Sequence, residues 1–100
     1  MEIRMTTWVT LEMTVKEGVF DALSEFLEAN LPNVRGFDGA LGVTLYHDPE
    51  TQAFLIHEEW ISRNHHRAYL AFIEEQGVMA ALLSFMQGPP TVTYYQKLAM

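Results

Sequence analysis

Two hydrophobic periods follow one another at the start of the chain, and their succession restricts the fold more than any other feature. From Met5 to Val15 the residues alternate, with Met5, Thr7, Val9, Leu11, Met13 and Val15 on one side and Thr6, Trp8, Thr10, Glu12 and Thr14 on the other. A period of two with one apolar side predicts a strand. "KEG" interrupts it, and Val19, Phe20, Leu23, Phe26, Leu27 and Leu31 then recur at helical spacing as far as Pro32, which is expected to stop the run. Glu17, Asp21, Glu25 and Glu28 fall on the opposite side, giving an amphipathic first helix with a solvated acidic face.

The remainder repeats these two periods in a definite order. "NVRGFDG" reads as a loop, and "ALGVTLYH" and "AFLIHEEWI" alternate on either side of "DPETQ", a polar interval that predicts a hairpin. Ser62 can cap a second helix running to about Gln76, because its hydroxyl can accept from the free amides of the first turn. Gly77 ends or bends that helix, "VMAALLSFM" adds a short apolar stripe, "GPP" stops it, and "TVTYYQKL" closes the chain as a β-rich run. The order predicts an α+β fold in a single domain over residues 1–100: a ferredoxin-like four-stranded antiparallel sheet with helices on one face. Val9, Leu11, Leu41, Val43, Leu45 and Leu55 are expected on the uncovered face. With 49% hydrophobic and only 19% charged residues, pairing two such faces about a two-fold axis would bury an apolar surplus, so a homodimer is expected.

Charge and composition remove several function classes. Thirteen acidic against six basic residues give a formal charge of −7, and no Lys/Arg cluster is available to neutralise phosphates or an anionic membrane. Nucleic-acid and membrane partners are disfavoured. Without cysteine there is no disulfide, thiolate metal site or Cys nucleophile. "MEIRMTTWVT" lacks the basic and apolar blocks of a leader, and no run reaches the roughly 18 apolar residues of a membrane span. A cytoplasmic protein is the expectation.

The candidate chemistry lies in "IHEEWISRNHHRAYLAF", residues 56 to 72. In a strand, Glu58 and Trp60 point to one side while His57 and Glu59 point to the other. A hairpin closing with His47 beside Ala53 would set Glu58 opposite Gly42 and Trp60 opposite Ala40, leaving room for a cavity unless the register slips by one. On the following helix either His66 or His65 shares a face with Tyr69. Tyr46, Glu58, Trp60, His66 and Tyr69 could thus line a pocket suited to a planar phenolic or quinoid ligand. Taken singly, each has an ordinary explanation: Trp60 and Tyr69 as core aromatics, Glu58 as the partner of an amide or of Arg63 or Arg67, the histidines as surface residues. Adjacent histidines leave a helix about 100° apart and cannot both bind one ion. His47 and His57, expected on one sheet face, would be too far apart to share a metal.

The chain resembles the antibiotic-biosynthesis-monooxygenase-like family of dimeric α+β barrels. The resemblance is carried by "VKEGVFDAL", "GALGVTLYHDPE", "HEEWIS" with its Glu-x-Trp-x-Ser of Glu58, Trp60 and Ser62, and "GPPTVTYYQKL". It implies a dimer joined sheet to sheet and a pocket between sheet and helices in each protomer. It also implies oxygen insertion without a cofactor, in which a deprotonated phenol or quinol itself reduces dioxygen. Carried over by position, Trp60 would line the pocket, and His66 would lie where some relatives have a pocket Tyr. Departures accompany it. Tyr69 stands where many members carry a helical His, and "GFDG" replaces the usual Glu-Pro-Gly before the second strand. The first strand lacks the Asn used by haem-degrading members, which disfavours haem breakdown.

The functional expectation is a cofactor-independent monooxygenase acting on a small aromatic quinol or phenol. Glu58 or His66 would deprotonate the substrate, Tyr46 and Tyr69 would orient oxygen atoms, and Trp60 would stack on the ring. Two alternatives stand beside it: a non-catalytic dimeric module binding or sensing a hydrophobic metabolite, and a structural dimer whose pocket is filled by Trp60, Tyr69 and Phe72.

Overall fold

The alternating run becomes β1 (Thr7–Thr14) and the helical run α1 (Phe20–Arg35) in the computed structural model, which describes residues 5–100. β2 (Ala40–His47) and β3 (Ala53–Trp60) form the hairpin, followed by α2 (Arg63–Glu75), α3 (Val78–Leu83) and β4 (Thr91–Tyr95). The strands form one antiparallel sheet in the order β2-β3-β1-β4. This is the ferredoxin-like arrangement, with the two halves of the chain interleaved at the central β3-β1 pair.

Proline does not stop α1. Pro32 lies inside it, and the helix runs on to Arg35, where the Gly36 N–H donates to the Pro32 carbonyl at 3.0 Å. A proline in the last turn removes one intrahelical bond, here to the Glu28 carbonyl, and both residues are exposed, where solvent can replace the bond. Val34, in the added turn, is buried in the core, which offsets that loss.

The apolar side of β1 faces the helices rather than the open side of the sheet. Val9, Leu11 and Met13 are buried together with Phe54, Ile56 and Trp60 of β3 and with Leu23, Val34 and Leu82 of the helices. Val43 and Leu45 pair with Glu58 and Ile56, so they too face the helices. The expectation that Val9, Leu11, Val43 and Leu45 occupy the uncovered face is therefore corrected. The strongest apolar stripe packs against the layer of helices. The uncovered face instead carries Trp8, Thr10, Glu12, Tyr46, Leu55, His57, Glu59 and Tyr95, as the strand registers require.

A bulge sets the β2-β3 register. At the turn His47 pairs with Phe54, one residue away from the expected pairing, so Glu58 faces Val43 and His57 faces Thr44. The irregularity between Ala40 and Gly42 then absorbs one residue and restores Trp60 opposite Ala40. In consequence His47 lies on the helix face, stacked on Phe20 with ring centroids 3.9 Å apart, and His57 lies on the other face, stacked on Trp8. They do not share a face as the expected register implied.

Candidate functional site

The alternation of β3 sends Phe54, Ile56, Glu58 and Trp60 toward the helices, and three of the four are apolar. Glu58 is the exception: a carboxylate only 5% exposed in the middle of the core face. Burying a charge without partners is costly, so its surroundings must supply donors. The Trp60 indole Nε1–H donates to Glu58 Oε1 at 3.0 Å. From α2, His66 Nε2 comes to 3.4 Å from the same oxygen, without the alignment of a formed hydrogen bond. The other ring nitrogen of His66, Nδ1, is hydrogen-bonded to the Tyr94 hydroxyl at 2.7 Å.

Glu58 also borders a narrow cavity of about 60 Å³ between the sheet and the three helices. Its walls are mostly apolar, with Leu31 and Val34 of α1, Val43, Leu45 and Ile56 of the sheet, and Ile73 and Leu82 of α2 and α3. Asn30 and Tyr69 are its other polar wall residues. Burial, and after it the neighbouring Glu58 charge, pushes the Tyr69 phenol up to about 12. At neutral pH Tyr69 is a hydroxyl donor and not a phenolate. The site combines one carboxylate acceptor and one phenol donor on an apolar wall.

Trp60 and His66 do not line this cavity. Both are fully buried and flank Glu58 instead. Trp60 packs its ring against Tyr69, Phe37 and His66 at centroid separations of 5.3, 6.2 and 5.5 Å, so it holds the carboxylate rather than offering a free face to a ligand. Tyr46 lies outside the group altogether. It pairs with Leu55 on the uncovered face and is 52% exposed, since the register at the turn places it one side over from Glu58. Its expected place in the pocket is corrected accordingly.

The other histidine of the pair, His65, has a structural task. Ser62 Oγ accepts from the His65 backbone N–H at 3.2 Å and is hydrogen-bonded to His65 Nδ1 at 2.7 Å, which caps α2 as its position before the helix predicts. The His65 ring lies directly over Gly39 and leaves no room for a Cβ there, and the φ of +89° is itself one that side-chain-bearing residues rarely adopt. Phe37, Gly39 and Tyr94 were not singled out from sequence. Phe37 and Gly39 sit in an aperiodic loop, whereas the alternation of β4 puts Tyr94 on the Val9 face and was the one available signal.

Comparisons with known proteins agree with the fold. The model of the family Antibiotic biosynthesis monooxygenase matches residues 7–72, from β1 through most of α2. A conserved protein from Methanosarcina mazei superposes with a TM-score of 0.83 at 12% identity, over 95% of each chain. A Bordetella bronchiseptica protein named for antibiotic biosynthesis monooxygenase does so at 0.82 and 18%, over 94% of this chain and 98% of that one. A Streptomyces coelicolor monooxygenase, solved in complex with nanaomycin D, follows at 0.79 and 19%, over 97% and 91%. At such identities the likeness is one of fold. No curated protein matches the sequence, and no helix among the described residues is long and apolar enough to cross a membrane.

Proposed function

The chain belongs to the antibiotic biosynthesis monooxygenase family, and from that premise we propose that it is a cofactor-independent monooxygenase of a small aromatic phenol or quinol. The observation that carries this reading is Glu58, a buried carboxylate at the wall of an apolar cavity. An acceptor so placed can take a phenolic proton within hydrogen-bond reach of a ring held by the apolar wall. Tyr69, protonated at neutral pH, donates to the phenolate oxygen and stabilises the charge as it forms.

The electron-rich phenolate then reduces dioxygen. One oxygen atom enters the ring as the second carbonyl of a quinone, and the other leaves as water, so that a phenol and dioxygen become a quinone and water. In this reading the protein binds, orients and deprotonates, while the substrate supplies the electrons. The cavity is smaller than the roughly 300–1,000 Å³ of ligand pockets, so entry of a ring requires its walls to move outward. Labelled dioxygen tests the proposal: one heavy oxygen atom in the quinone is expected, and product carrying none, or no product across a panel of phenols and quinols, overturns it.

We further propose that the protein is a homodimer joined through the uncovered sheet face. Trp8, Tyr46, Leu55 and Tyr95 lie there beside polar residues, and a sheet with helices on one side leaves that surface without a covering layer. The second functional reading, a module that binds a hydrophobic metabolite without reaction, is favoured by a wall with a single carboxylate. Under it, binding occurs and no labelled oxygen is incorporated.

A further inference from the structure

His66 carries two buried ring nitrogens with different neighbours, and their arrangement limits where its proton can sit. Nε2 faces Glu58 Oε1 at 3.4 Å, and that oxygen already accepts from the Trp60 indole at 3.0 Å. Nδ1 is bonded to the Tyr94 hydroxyl at 2.7 Å. A neutral imidazole has one donor and one acceptor nitrogen, and a phenol hydroxyl can serve as either partner. Nε2 forms no aligned hydrogen bond in this geometry, but a lone pair there would face an oxygen that presents its own lone pairs, whereas an N–H would face an acceptor.

We infer that Tyr94 is a positioning residue: its hydroxyl donates to His66 Nδ1, which keeps the His66 proton on Nε2, the ring nitrogen that lies 3.4 Å from the Glu58 oxygen already accepting from Trp60. This inference rests on the reading of Glu58 as the base in the proposed reaction. Two cations support the direction of the bond. The Arg63 and Arg67 guanidiniums lie 5.0 and 5.8 Å from the centroid of the Tyr94 ring, where they stabilise a polarised phenol that gives up hydrogen density to its acceptor. Tyr94 reaches His66 from β4, across the sheet order, while both arginines lie on the first turns of α2. The last strand is thereby tied to the carboxylate on β3. The chemical logic matches that of orienting groups elsewhere: a residue that never touches the substrate fixes the tautomer of one that contacts the acting carboxylate.

Nitrogen NMR of the whole uniformly labelled protein decides the point without any substrate. His66 is expected as the neutral form with a pyrrole-type Nε2 and a pyridine-type Nδ1. A pyrrole-type Nδ1, or an imidazolium protonated on both nitrogens, overturns the inference. In Tyr94→Phe the Nδ1 resonance is expected to move toward that of an unbonded pyridine-type nitrogen, and an unchanged Nδ1 shift in a folded variant contradicts it. With a turned-over quinol in hand, the same variant should lose roughly 10–100-fold in kcat with KM little changed. Equal kcat in variant and parent overturns the positioning role. If no quinol is turned over, the proposed reaction fails while the NMR result still stands on its own.

Discussion

The Trp60 indole donates to a carboxylate two residues before it on the same strand face, Nε1 to Glu58 Oε1 at 3.0 Å, and both groups are buried. Trp60→Phe would keep most of the packing against Phe37 and Tyr69 but leave the carboxylate short of a donor. The expected cost is about 1–3 kcal/mol in urea unfolding. Replacing both partners, as Glu58→Leu with Trp60→Phe, should cost less than the sum of the single changes, because no orphaned polar group remains. Additive costs would show that the pair is not coupled.

Gly39 and Gly42 make a controlled comparison on β2 and the residue before it. A Cβ at Gly39 would overlap the His65 ring and sit at a φ of +89°, whereas Gly42 meets nothing within 4 Å. Gly39→Ala should lower stability by about 1–3 kcal/mol through backbone strain and displacement of the α2 cap. Gly42→Ala should stay within about 0.5 kcal/mol, apart from any effect of the neighbouring bulge. Chemical denaturation of the two variants reads the difference directly.

Tyr69 makes the fold sensitive to alkali. Its phenol holds its proton to about 12 in the folded state, against an ordinary value of 10.0, through burial first and the Glu58 charge second. Between those values the folded state binds the extra proton, so this contribution is fully present below pH 10.0 and is lost as pH rises through about 12. Ultraviolet titration should show a late phenolate step that Tyr69→Phe removes. The variant should also show a weaker decline in stability over that window.

Much of the fold was legible because the chain keeps its periods distinct. The two-residue alternation of the strands and the helical spacing of α1 led to the element order, and a hydroxyl just ahead of the second helical run led to the Ser62 cap. The side of the sheet that each strand shows was harder, since alternation separates two faces without saying which one a helix covers. The bulge at Leu41 was unreadable for a related reason: it corrects a one-residue offset at the turn, and neither is marked by composition. In the site, strand alternation and helical spacing group Tyr46, Glu58, Trp60, His66 and Tyr69; the last four converge, whereas Tyr46 lies on the uncovered face. The sequence could not tell which of them face the cavity. That division depends on Phe37 filling the space beside Trp60 and on Tyr94 holding His66 from β4, contacts made by segments distant in the chain.

The proposed dimer is open to measurement. Sedimentation equilibrium at micromolar concentration should give twice the 11.5 kDa chain mass. A charge placed in the centre of the uncovered face, as in Thr10→Arg, should shift the protein toward monomer without unfolding it. A monomer for the parent chain would remove the basis for sheet-to-sheet pairing.

The proposed reaction turns on Glu58 deprotonating a phenol whose carbanion-like ring then reduces dioxygen without a cofactor. It is tested most directly with an oxygen electrode, a panel of quinols and phenols, a chelator in the buffer, and the parent protein beside Glu58→Gln. Protein-dependent oxygen uptake is expected to survive the chelator and to fall by roughly 100-fold or more in the variant. Uptake equal in parent and Glu58→Gln, or none above autoxidation with any compound of the panel, would contradict it.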